Sequence, residues 1–78
     1  MSVFERVRRI VAASFQVPLE TITADTDFED YADSLGIVEL IMAIEQEFDI
    51  EAPDPSTMDG PLRTVGQLAA FIEQRLRE

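Results

Sequence analysis

The segment from Ser34 to Phe48 constrains the fold more than any other part of this chain. It is the most hydrophobic stretch in the sequence, yet Glu39, Glu45 and Glu47 interrupt it. Leu35, Val38, Ile41 and Phe48 recur close to one stripe at helical spacing; Leu40 and Ile44 broaden it, and Ile37 and Met42 fall towards its flanks. An apolar arc this wide exceeds one contact face, so the predicted helix must touch more than one neighbour. Gly36, in its first turn, costs roughly 1 kcal/mol of helix propensity relative to Ala. The hydroxyl residue Ser34 stands at the mouth of this helix, where N–H groups without helical partners gather partial positive charge.

Two further helices flank this one. Ser2-Val3-Phe4-Glu5 fits a capping box, and Phe4, Val7, Ile10, Val11 and Phe15 predict an amphipathic helix over residues 3–15, which Pro18 cannot continue. Its Arg6, Arg8 and Arg9 are expected on the solvent side, not as a phosphate site. Thr64 and Gln67 form a second capping-box pair. Val65, Leu68, Ala69, Ile72 and Leu76 then predict a last helix over 65–77, with Arg75 and Arg77 where cations suit the helix dipole. Residues 16–33 make a connection longer than compact domains usually use, so it must pack down or carry function. Val17, Leu19, Ile22, Phe28 and Tyr31 can pin it, and one helical turn is expected over 27–31. Pro53 and Pro55 break the chain again, and residues 56–59 predict a short helical turn that Gly60-Pro61 ends. With no internal repeat and no convincing strand, the expectation is an all-α fold: one domain over 1–78, a small bundle of three main helices plus a short helix.

Composition narrows the function. The formal net charge is −10, and its distribution is uneven: residues 25–59 contain twelve acidic residues and no basic one, while the segments on either side are each slightly basic. Such a field argues against nucleic acid or an anionic membrane as partner and favours proteins with basic patches. Cysteine and histidine are absent, which removes disulfides, thiolate metal sites and the commonest neutral-pH base. The longest apolar run falls far short of a membrane span and no leader-like segment opens the sequence, so a cytoplasmic monomer without membrane insertion is expected. The run Asp25-Thr26-Asp27-Phe28-Glu29-Asp30 resembles the start of a calcium loop, but its sixth position is Asp30 in place of Gly and its twelfth is Gly36 in place of Glu. No metal site is expected. Ser34 has neither His nor Lys anywhere in the chain to activate it, so the protein is expected to be no enzyme.

Asp33-Ser34-Leu35, then Val38-Glu39-Leu40, Met42-Ala43-Ile44-Glu45 and Glu47-Phe48-Asp49-Ile50, followed by Pro53-Asp54 and Thr64-Val65, resembles the acyl carrier protein family over essentially the whole chain. The resemblance implies that Ser34 carries 4'-phosphopantetheine through a phosphodiester, donated by coenzyme A through a phosphopantetheinyl transferase. It implies acyl intermediates held as thioesters on that arm and delivered to fatty-acid, polyketide or related biosynthetic enzymes. A chain without cysteine leaves the thiol to the prosthetic group, and a helix start tolerates a phosphate.

By the same resemblance, Asp33, Leu35, Glu39, Met42 and Glu45 form the surface that meets basic patches on ligases, synthases and transferases, with Glu47 and Asp54 as candidates. Val38, Leu40, Met42, Ile44, Ile50 and Leu62 could line a space for the acyl chain, although most read equally well as core. Two positions depart from the common pattern: Gly36 and Gln46 stand where acids are usual. Gly just after Ser-Leu is similar to D-alanyl and other aminoacyl carriers, which keeps an aminoacyl cargo as the alternative. An unmodified acidic helical adaptor is the remaining one.

Overall fold

The apolar periodicities become three helices in the computed structural model, which describes residues 2–51 and 63–77. They are α1 (Val3–Phe15), α2 (Ser34–Phe48) and α3 (Val65–Arg77), with single 3-10 turns at Leu19–Thr21 and Phe28–Asp30. The predicted helix boundaries hold at all three, and the turn expected over 27–31 is the second 3-10 element. The turn predicted at residues 56–59 lies outside the described residues. Among those described there is no strand, only an isolated antiparallel bridge between Asp27 and Thr64.

Local chemistry sets the ends. The Ser2 hydroxyl accepts the Glu5 N–H at 3.1 Å. The second box is reciprocal: Thr64 Oγ1 accepts the Gln67 N–H at 3.3 Å, and Gln67 Oε1 accepts the Thr64 N–H at 3.1 Å. α1 and α2 end on Gln16 and Asp49, both in the left-handed region (φ 58° and 52°), a conformation usually left to glycine or asparagine.

α1 packs against both other helices. Arg6 near its start meets Glu47 near the end of α2, so these two run antiparallel. The core joins Val7 and Val11 of α1, Leu40 and Ile44 of α2, and Val65, Leu68 and Ile72 of α3. Ile22 and Phe28 of the long connection are fully buried among them, and Val17 and Leu19 pack against the cluster. Tyr31 stacks on Phe15 with ring centroids 5.6 Å apart, and Phe28 meets Phe15 edge-on at 6.4 Å.

The rest of the connection is tied to the entrance of α3. The Phe28 N–H donates to the Arg63 carbonyl, Val65 N–H to Thr26, and Gly66 N–H to Ala24. The last approach favours a glycine: a Cβ on Gly66 would lie 3.0 Å from the Ala24 carbonyl oxygen, a tight contact.

Two expectations are corrected here. α2 is rotated from the stripe read in the sequence: its inward face is Ile37, Leu40, Ile41, Ile44 and Phe48, while Leu35 and Val38 point outward. The apolar arc offered two possible inward faces, and only packing against α1 and the shared core decides between them. The arginines of α1 are not simply solvated either. Arg6 binds the end of α2, and Arg8 Nε donates to the Ile22 carbonyl at 2.7 Å, anchoring the long connection; Arg9 alone of the three is exposed.

Candidate functional site: the start of helix α2

Ser34 is the first residue of α2 and not its cap. That role belongs to Asp33, whose carboxylate accepts the Gly36 N–H at 3.0 Å while its carbonyl accepts the Ile37 N–H. The helix therefore opens on a serine held between two exposed residues, Asp33 and Leu35, with the positive end of the helix dipole behind it. The preceding 3-10 turn fixes the approach: Asp27 caps it by accepting the Glu29 N–H, and the Ala32 N–H donates back to the Phe28 carbonyl.

Arg63 clamps that turn from the far side. Its Nε donates to Asp27 Oδ2 at 2.7 Å and its Nη2 to Glu29 Oε2 at 3.2 Å. The hydrogen bond that Arg63 donates to Asp27, then the charges of Asp27 and Glu29, raise the Arg63 pKa above its ordinary value. The guanidinium thus stays cationic and neutralises part of the acidic segment next to the site.

The outer face of α2 runs away from Ser34 as an apolar stripe bordered by acids. Leu35 is 66% exposed, Met42 57% and Val38 37%. Glu39, Glu45 and Gln46 are exposed on the same side. The five residues read from the sequence as a partner surface, Asp33, Leu35, Glu39, Met42 and Glu45, are thus all solvent-exposed at the start of the helix or along it. Glu47 differs. Arg6 takes its carboxylate at 2.9 Å and its carbonyl at 3.2 Å while lying 4.3 Å over the Phe48 ring, so Glu47 is engaged within the fold.

The residues read as lining an acyl space do not act together: Leu40 and Ile44 are fully buried core, and Val38 and Met42 face solvent. Leu62 and Asp54 lie outside the described residues. A shallow groove of about 340 Å³ sits elsewhere, between α1 and α2, lined by Ile10, Ala13, Ser14, Ala43, Gln46 and Glu47. The sequence reading missed Arg63, whose partners lie more than thirty residues away. It also missed Asp33 as a cap, although Asp before an apolar helix is a readable signal.

The first turn of α2 thus opens on Ser34 with exposed neighbours on both sides, at a helix start whose dipole suits negative charge. The family described as "Phosphopantetheine attachment site" matches residues 5–72. That match defines a phosphopantetheine-bearing domain. An acyl carrier protein of Phenylobacterium zucineum (strain HLK1) is 46% identical over 76 residues, covering 95% of this chain and 94% of the relative. The chain belongs to the acyl carrier protein family, with 4'-phosphopantetheine as its covalent cofactor. No helix among the described residues is long and apolar enough to cross a membrane.

Proposed function

We propose that this protein holds acyl intermediates as thioesters on a 4'-phosphopantetheine arm attached to Ser34 and delivers them to fatty-acid, polyketide or related biosynthetic enzymes. The observation that carries this reading is the placement of Ser34 as the first residue of α2, behind an exposed cap and at the head of an exposed apolar and acidic face. The arm supplies the thiol that the chain lacks. The protein's own residues supply address and presentation: Leu35 and Met42 offer apolar contact, and Asp33, Glu39 and Glu45 attract cationic patches on a phosphopantetheinyl transferase and on the ligases, synthases or transferases that use the cargo. In this reading the chain acts as a single domain and a cytoplasmic monomer; it is a non-catalytic carrier, since no His, Cys or Lys is present to activate a nucleophile. Gly36 was the residue that favoured an aminoacyl cargo. Its contact with Ala32, described below, accounts for a glycine there without reference to cargo.

The test is direct. The apo protein is incubated with coenzyme A and a broad-specificity phosphopantetheinyl transferase and followed by intact mass. The expected result is the gain of one phosphopantetheinyl group, lost in Ser34→Ala. A native chain that gains nothing while a control carrier is modified would overturn the reading, as would a Ser34→Ala chain that is still modified.

A further inference from the structure

Gly36 occupies the first turn of α2, where glycine is unfavourable by roughly 1 kcal/mol relative to Ala. Its backbone does not require a glycine, because no glycine described here has a positive φ. The requirement is one of space. A Cβ built on Gly36 would lie 2.9 Å from the Ala32 Cβ and 3.6 Å from Asp33 Oδ1. The Ala32 methyl is bonded directly to the backbone and cannot rotate out of the way. Nor is Ala32 free to drift, since its N–H is bonded to the Phe28 carbonyl at 3.0 Å and its neighbour Tyr31 is stacked on Phe15. An added methyl must therefore move the 32–33 backbone and the start of α2 apart. Asp33 is the cap of that helix and Ser34 follows it directly, so the displacement passes into the Ser34 backbone.

We propose that Gly36 is a positioning residue for the modification of Ser34: its missing side chain lets Ala32 close on the first turn of α2, and this contact sets where Ser34 is presented to the transferase. The inference rests on Ser34 being the attachment residue. In that step the Ser34 oxygen forms a bond to the pantetheine-side phosphorus of coenzyme A. The pyrophosphate P–O bond breaks, adenosine 3',5'-bisphosphate leaves, and the hydroxyl proton passes to a base on the transferase. Such a displacement is sensitive to sub-ångström placement of the attacking atom.

The experiment compares initial rates of phosphopantetheinylation for the native apo chain, Gly36→Ala, and the double variant Ala32→Gly/Gly36→Ala, with helicity followed by circular dichroism. If Gly36 mattered only to helix stability, Ala would be neutral or better there and modification would be unimpaired. The expected result is a folded Gly36→Ala chain whose kcat/KM falls roughly tenfold or more, mainly through kcat, and a double variant that regains most of the loss. A native rate for Gly36→Ala, or a double variant as slow as the single one, overturns the proposal. Should Gly36→Ala fail to fold, Ala32→Gly alone probes the contact from the other side: slower modification supports the proposal and a native rate overturns it. Failure of the attachment reading is distinguishable, because then the native chain itself would not be modified at Ser34.

Discussion

At the residue scale, Asp49 is placed against local preference. It closes α2 in the left-handed region at φ 52°, where an L side chain is disfavoured, and it sets a carboxylate beside the negative end of the helix dipole. Asp tolerates this conformation better than most residues, which limits the cost. Asp49→Gly removes both penalties and should stabilise the fold by about 1 kcal/mol, read as a higher urea midpoint at unchanged slope. Asp49→Asn keeps the backbone preference and removes only the charge, so it should recover the dipole part, about 0.3–1 kcal/mol. A lower midpoint for either variant would show that the Asp49 carboxylate makes a stabilising contact. The placement of Ser34 at the opening of α2 was legible in the sequence, because a small hydroxyl residue led directly into the apolar periodicity. Gly36 was visible only as an anomaly, since its reason is a contact with Ala32 that no one-dimensional pattern encodes.

At the element scale, the helix limits were readable because punctuation fixes them: Ser2 and the Thr64–Gln67 pair open α1 and α3, and Pro18 cannot continue α1. The rotation of α2 was not readable. Apolar side chains cover so much of its circumference that Leu35 and Val38 compete on equal terms with Ile37 and Leu40 until neighbouring helices choose. The path of the long connection was equally hidden, because it depends on long-range pairings of Arg8 with Ile22 and of Arg63 with Asp27 and Glu29. The α1–α2 junction gives a prediction of the same kind. Arg6 joins the Glu47 carboxylate, the Glu47 carbonyl and the Phe48 ring, three contacts that fasten the end of α2 to α1. A lone exposed ion pair contributes little, but these contacts share one planar guanidinium already held in place. Arg6→Ala should cost about 1–2 kcal/mol in urea unfolding, and Arg6→Lys should recover only part, because an ammonium cannot reproduce the fork. A variant as stable as the native chain would reduce this junction to an ordinary surface pair.

At the scale of the whole molecule, charge acts in two opposite directions. Twelve acidic residues lie within residues 25–59, and Arg6 and Arg63 reach into that segment from outside to offset Glu47, Asp27 and Glu29. Glu39 and Asp49 remain exposed on α2 and at its end, so folding gathers like charges that the unfolded chain can keep apart. Salt screens this repulsion over a Debye length that shrinks from about 30 Å at 0.01 M to about 8 Å at 0.15 M. The same ions also weaken the internal pairs described above, but those act at short range, whereas the repulsion sums over the segment. The melting temperature should therefore rise between these ionic strengths. The carrier's encounter with an enzyme bearing a basic patch should slow over the same range, because screening removes long-range attraction. Charge reversal separates the two effects. Glu39→Lys reduces the net charge from −10 to −8, so it should leave the fold intact and make its melting temperature less dependent on salt, while slowing transferase encounter most at low ionic strength. Melting curves and association rates measured on the same samples across the salt series check both halves. If association were insensitive to salt, or if Glu39→Lys left low-salt association unchanged, the acidic face of α2 would have no part in docking.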